Sequence, residues 1–158
     1  MSASATTQDS PGVIAPPPLI CLAFVLAGLA LDWAWPLPFL PQAVQYAVGG
    51  ALLAAALAPA LWSFVLFRRA GTNVPTYRPT TALVVSGPYR LSRNPIYLGM
   101  TTLLLGIALM VDSLWLVGVL PPFALVLRYG VIAREERYLE AKFGDAYRAY
   151  KARVRRWL

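Results

Sequence analysis

Histidine is missing from this chain of 158 residues, and cysteine occurs once, as Cys21 inside an apolar run. Those two absences exclude an intrachain disulfide, a Cys/His zinc site and a histidine general base, and with them most hydrolase and redox chemistries. Charge is scarce as well. Only 13% of residues are charged while 58% are hydrophobic, well above the apolar share of a soluble globular protein, so much of the chain is expected in lipid. No Lys or Arg precedes Arg68. The start therefore lacks the positive region of a signal peptide, and the first apolar run is expected to stay as a membrane anchor. Residues 1–18, rich in Ala, Ser, Thr and Pro and ending in Pro16-Pro17-Pro18, read as a mobile tail.

Four stretches approach the roughly 20 apolar residues that a crossing helix needs: Leu19 to Trp35, Gln42 to Phe67, Pro95 to Val111 and Leu114 to Ala133. The third is short. Pro36, Pro38 and Pro41 separate the first two, and Asp112-Ser113 makes a tight connection between the last two, so each pair reads as an antiparallel hairpin. The expected fold is all-α, an integral membrane bundle of four transmembrane helices with a cytoplasmic C-terminal amphipathic helix. Its parts are the tail 1–18, a scaffold hairpin 19–67, a cytoplasmic loop 68–94, and a second hairpin with the C-terminal helix over 95–158. Pro59 and Pro121-Pro122 fall inside the second and fourth spans and should kink or reorganise them. Gly49-Gly50 should let helices approach closely.

The basic residues set the expected orientation. Arg68, Arg69, Arg78, Arg90 and Arg93 lie between spans two and three, and eight more follow the fourth span, while the connections near Pro38 and Asp112 have none. By the positive-inside rule the central loop and both termini are cytoplasmic, in an inner membrane. The net charge of +7 thus reads as membrane topology and not as a nucleic-acid surface. After Glu135, the residues Leu139, Phe143, Tyr147, Tyr150, Val154 and Leu158 recur at helical spacing among charged ones, a stripe that either lies in the interface or packs back on the bundle. Gly144-Asp145 reads as an interruption of that helix.

Two polar clusters fall on the cytoplasmic side, Ser86 to Gly99 entering span three and Arg134 to Tyr138 leaving span four. In a hairpin these are neighbours, so Arg93, Asn94 and Tyr97 are expected to face Glu135 and Glu136 across a common pocket. Arg128, at i+7 and i+8 from the two acids, is expected on the same helix face. Methyl transfer from a sulfonium needs no protein nucleophile and no metal. It needs alignment, a dry site, and anchors for an amine, a carboxylate, a ribose and an adenine, and this inventory suits that task.

The string Gly87-Pro88-Tyr89-Arg90, Arg93-Asn94-Pro95-Ile96-Tyr97-Leu98-Gly99, Glu135-Glu136-Arg137-Tyr138-Leu139, Phe143-Gly144-Asp145-Ala146-Tyr147, Tyr150 and Arg156-Trp157-Leu158 resembles the isoprenylcysteine carboxyl methyltransferase and phospholipid methyltransferase superfamily. The resemblance covers roughly residues 68–158. It implies a membrane enzyme whose C-terminal half encloses S-adenosylmethionine near the cytosolic surface, yielding S-adenosylhomocysteine, while a lipophilic acceptor arrives from the bilayer.

On that basis Tyr89, Arg93, Asn94, Pro95, Tyr97, Leu98, Gly99, Arg128, Glu135 and Glu136 are candidates for holding the donor. Arg90, Glu135, Glu136 and Arg153 are candidates for catalysis, with Arg90 or Arg153 orienting the acceptor's head and an aromatic ring such as Tyr89 near the sulfonium. Eukaryotic isoprenylcysteine enzymes usually carry histidine where this chain has Asn94, which cannot serve as a base near neutral pH. Carboxyl O-methylation and lipid amine N-methylation both remain open. A four-helix exporter is the rival from another class, but Asp32 and Asp112 lie at helix ends and no midplane carboxylate is present. A non-catalytic membrane scaffold is the other alternative.

Overall fold

The computed structural model describes residues 10–74 and 79–158. Arg78 and residues 1–9 of the expected tail lie outside the described residues. Among the described residues the protein is all helical, without strands. Helix α1 is Pro17–Ala34, α2 is Gln42–Arg69, α3 is Pro95–Val111, and α4 is a continuous run Leu114–Arg153. Three of these are long and apolar enough to cross a membrane, and α3 is a shorter apolar helix. Only 22% of the most apolar window of α1 and 17% of that of α2 is buried within the protein. Leu22, Leu26 and Trp33 of α1, and Leu57, Leu61 and Phe64 of α2, stand exposed. Apolar faces of that extent belong against lipid.

Helix α3 is the centre of the bundle. It packs along α2 on one side and against α1 and the start of α4 on the other, whereas α1 and α2, joined by a short connection, make no extensive contact with each other. Close approach of α2 and α3 rests on glycine. A Cβ on Gly99 would stand 2.8 Å from the carbonyl oxygen of Ala56 and 3.1 Å from the Pro59 ring. Gly49 meets the Met110 backbone in the same way, while Gly50 faces open space, so only one of that pair serves the contact expected of both.

The α1–α2 and α3–α4 connections are tied by one carboxylate. Asp112 ends α3 in the left-handed region (φ 58°), which Asp tolerates better than most residues. Its Oδ1 accepts the backbone N–H groups of Phe39 and Leu40, each at 2.8 Å, and its Oδ2 accepts the Gln45 amide at 3.0 Å. Leu114 N–H donates to Leu37 O, and the Trp115 indole donates to Trp35 O at 2.8 Å. Backbone groups of a proline-rich loop that has no regular partner are satisfied in this way.

Helix α4 changes form along its length, as its prolines require. It begins as Leu114–Gly118, capped by the Ser113 hydroxyl, resumes as Leu120–Val126 with proline in the first turn, and passes through a π turn at Leu127–Ile132. The long segment Ala133–Arg153 follows, with a non-helical Gly144 (φ 52°) where an interruption was expected. The end of the expected N-terminal tail is not loose: Ile14 N–H donates to Gly130 O, Gly12 O accepts from Arg134, and the Ile14 side chain lies over Gly130.

Gly99→Ala is expected to force α2 from α3 and cost about 1–3 kcal/mol, the usual penalty of overpacking. Gly50→Ala, with space around it, should instead be neutral or gain up to roughly 1 kcal/mol from lower backbone entropy. Thermal unfolding in detergent, followed by helix content, separates the two.

Candidate functional site

The site begins at a turn that only glycine can make. Gly87 has φ 59°, and a Cβ there would fall 2.7 Å from Leu66 and 3.0 Å from the Trp62 indole nitrogen. Gly87–Arg90 then forms one 3₁₀ turn against α2, burying Pro88 and Tyr89. Tyr89 packs edge-on to Phe67, with ring centroids 5.6 Å apart. Burial pushes its phenol well above the usual range, so it stays neutral. Tyr150 donates its hydroxyl to Tyr89 O at 2.7 Å, fastening the far end of α4 to this turn.

Asn94 and Pro95 open α3 as N-cap and first helical residue, but the Asn94 side chain does not cap the helix. Its amide donates to Arg156 O at 2.9 Å, and the Ser92 hydroxyl donates to the same oxygen at 3.2 Å. One turn into α3, Tyr97 donates to Oε1 of Glu135 at 2.6 Å, in a buried contact. Glu136, buried to 6% exposure, has arginines on two sides. Arg156 clamps it with Nε to Oε1 at 3.1 Å and Nη2 to Oε2 at 2.6 Å, and Arg93 Nη1 stands 3.2 Å from Oε1. The bond to Glu136 raises the Arg156 guanidinium further above its ordinary range.

These residues line a cavity that is partly open to the outside. Arg93, Asn94, Tyr97, Glu135 and Glu136 supply its polar wall, and Phe67, Val74, Ala82, Leu83, Val84, Ile96 and Leu139 much of its apolar wall. The strap that contributes residues 80–84 is held by Thr80 N–H to the Tyr138 hydroxyl at 3.1 Å and by Thr81 N–H to the Thr72 hydroxyl at 2.8 Å. The stripe from Leu139 to Val154 packs back on the bundle over Phe67 and Tyr89, and Leu158 at its end is exposed.

Of the residues singled out from sequence, Tyr89, Arg93, Asn94, Pro95, Tyr97, Glu135 and Glu136 meet around this one cavity. Others do not line it. Gly99 is spent on contact with α2, and Leu98 lies beside it. Arg90 and Arg153 are exposed, Arg153 donating to Ala149 O. Arg128 is exposed as well, its guanidinium 5.3 Å from the Tyr129 ring. The expected shared face with Glu135 assumed a regular helix. The π turn between them winds more residues per turn and shifts that phase. Sequence reasoning did not single out Phe67, Thr80, Leu83 and Val84, which carry no chemical signature. Nor did it assign a role to Arg156, whose only signal was its place in the C-terminal motif.

The family model described as phospholipid methyltransferase matches residues 44–146, a span that includes Arg93, Asn94, Tyr97, Glu135 and Glu136 of the cavity. An uncharacterized protein of Haemophilus influenzae is 52% identical over 64 residues, which is 40% of this chain and the whole of that one. No solved structure matches the chain. With the match extending over well above half its length, this helical membrane protein belongs to the phospholipid methyltransferase family.

Proposed function

We propose that the chain transfers a methyl group from S-adenosylmethionine to an amphiphilic acceptor at the cytoplasmic face of the inner membrane. The observation that carries this reading is the pairing of one buried arginine and one buried glutamate across an apolar cavity. Arg93 has Nε and Nη1 buried without a hydrogen-bond partner, an arrangement that favours an arriving carboxylate. Glu135, oriented by Tyr97, suits an ammonium group. Glu136 is engaged by two guanidiniums, and Glu135 lines the same cavity. Phe67, Leu83, Val84 and Ile96 offer the apolar walls that an adenine ring requires.

When bound, S-adenosylmethionine supplies a methyl group on a positively charged sulfur, open to direct attack by an acceptor oxygen or nitrogen. The protein's share is to hold, align and exclude water. The neutral ring of Tyr89 can face a cation without competing charge. A carboxylate acceptor needs no base, whereas an ammonium acceptor must lose a proton, and Glu135 is the group in the cavity that can take it. Asn94 cannot, and its amide is committed to Arg156 O. Arg90 and Arg153, exposed near the two ends of the Tyr150–Tyr89 link, are placed to meet an acceptor's headgroup.

In the membrane, α1, α2, α3 and the first part of α4 form four crossings, and Ala133–Arg153 lies on the cytoplasmic side as the amphipathic helix. The 17 residues of α3 reach about 25 Å, slightly short of the hydrocarbon thickness. The C-terminal arginines dock beside Arg93, so the basic residues gather at one end of the bundle, which supports cytoplasmic termini under the positive-inside rule.

Calorimetry in detergent should show S-adenosylmethionine binding by the wild type, weakened about tenfold or more by Glu135→Gln, the loss of one charged hydrogen bond, with helix content unchanged. Absence of binding in folded wild type, repeated with lipid present, would reject the methyltransferase reading in favour of an exporter or scaffold. For topology, after Cys21→Ser, a cysteine at Pro38 should react with impermeant reagent from outside intact cells. One at Lys142 should react only after permeabilisation, and the opposite pattern would reverse the assigned orientation.

A further inference from the structure

After Arg153 the chain leaves the helix, with Val154 extended (φ −120°, ψ 130°), and runs back along the start of α3. Three hydrogen bonds hold its backbone there: Arg93 N–H to Arg155 O at 3.0 Å, and the Asn94 amide and Ser92 hydroxyl to Arg156 O. The Arg156 side chain is not needed for that docking. It reaches instead to Glu136, with both carboxylate oxygens engaged.

Glu136 carries one negative charge and has two guanidiniums around it. The Arg93 and Glu136 side chains are 9% and 8% exposed, and that of Arg156 is 29% exposed. The two-point geometry belongs to Arg156, the stronger of the two arrangements. Arg93 approaches the same carboxylate within ion-pair distance, yet its Nε and Nη1 make no hydrogen bond. Two guanidiniums thus share the Glu136 carboxylate, and Glu135 stands on the same cavity wall. Buried guanidinium nitrogens without a hydrogen-bond partner favour an arriving anion.

We propose that Arg156 is a positioning residue: by occupying Glu136, it keeps Arg93 available to a carboxylate in the cavity, which on the reading above is the carboxylate of the methyl donor. With the Arg156 side chain removed, Glu136 would turn fully to Arg93, neutralise it, and close the anion subsite. The C-terminal tail thus tunes a site that its own side chain does not line.

The test compares two probes by calorimetry in detergent, S-adenosylhomocysteine, which has the carboxylate, and decarboxylated S-adenosylmethionine, which lacks it. Arg156→Gln should weaken S-adenosylhomocysteine binding at least about tenfold, as expected for loss of a charge-assisted contact, with the decarboxylated probe changed little. Arg156→Lys keeps the charge but loses the fork, and should fall between. In a Glu136→Gln background, Arg156→Gln should add little, because the residue acts through Glu136. Should Arg156→Gln not fold, Arg156→Lys carries the comparison, with selective loss of S-adenosylhomocysteine affinity as the required result. Equal loss of both probes, wild-type affinity for S-adenosylhomocysteine, or full additivity with Glu136→Gln would overturn the proposal. Wild type that binds neither probe would instead remove the donor-site reading on which it rests.

Discussion

A single carboxylate, Glu136, held between the guanidiniums of Arg156 and Arg93, joins three segments that are far apart in the chain. One is the start of α3, the second is the helix that leaves the fourth apolar run, and the third is the C-terminal tail. Removing either partner of a buried ion pair strands a charge in a medium that solvates it poorly, which costs far more than the intact pair contributes. The ion pairs thus add to the hydrogen bonds by which Ser92, Arg93 and Asn94 hold the tail backbone. The neighbouring Tyr97–Glu135 bond and the Tyr150–Tyr89 bond act in the same direction, fixing first one end of the Ala133–Arg153 segment and then the other.

The membrane places a second demand on the same residues. In lipid, every backbone polar group needs an internal partner, and the chain has prolines within two of its apolar runs. It meets that demand by placing proline at a helix start in Leu120–Val126, and by pinning the loop around Phe39 to Asp112. The π turn at Leu127–Ile132 has a wider effect, since it changes the phase at which everything beyond it faces the bundle. Glu135 and Glu136 turn inward and Arg128 outward, though spacing on a regular helix would group all three.

A methyl-transfer site has little need of catalytic groups, and the cavity has few polar ones. Its walls are mostly apolar, and a few charged groups sit where a zwitterionic ligand could be fixed at one end. Membership of the phospholipid methyltransferase family and this distribution of polarity agree with each other. Arg90 and Arg153 lie outside the cavity, on the surface.

Local regularities made a large part of this legible in advance. The four apolar runs, their proline and Asp112-Ser113 boundaries, the clustering of basic residues after Arg68, and the meeting of Arg93, Asn94 and Tyr97 with Glu135 and Glu136 all follow from composition, period and hairpin geometry. These are determined within a few turns of helix, where sequence and structure are most closely coupled. The rest was decided by packing between distant segments. That Gly99 meets α2 and does not line the cavity depends on where the Ala56 backbone falls. That Phe67 and Leu83 wall the cavity depends on a strap folding over it. That Arg156 takes Glu136, and leaves Arg93 facing the cavity, depends on a tail that returns across some sixty residues of chain. Nothing in the residues themselves marks which of several arginines will reach a given carboxylate, because long flexible side chains are assigned their partners only when the backbone has brought the charges within a few ångströms of each other.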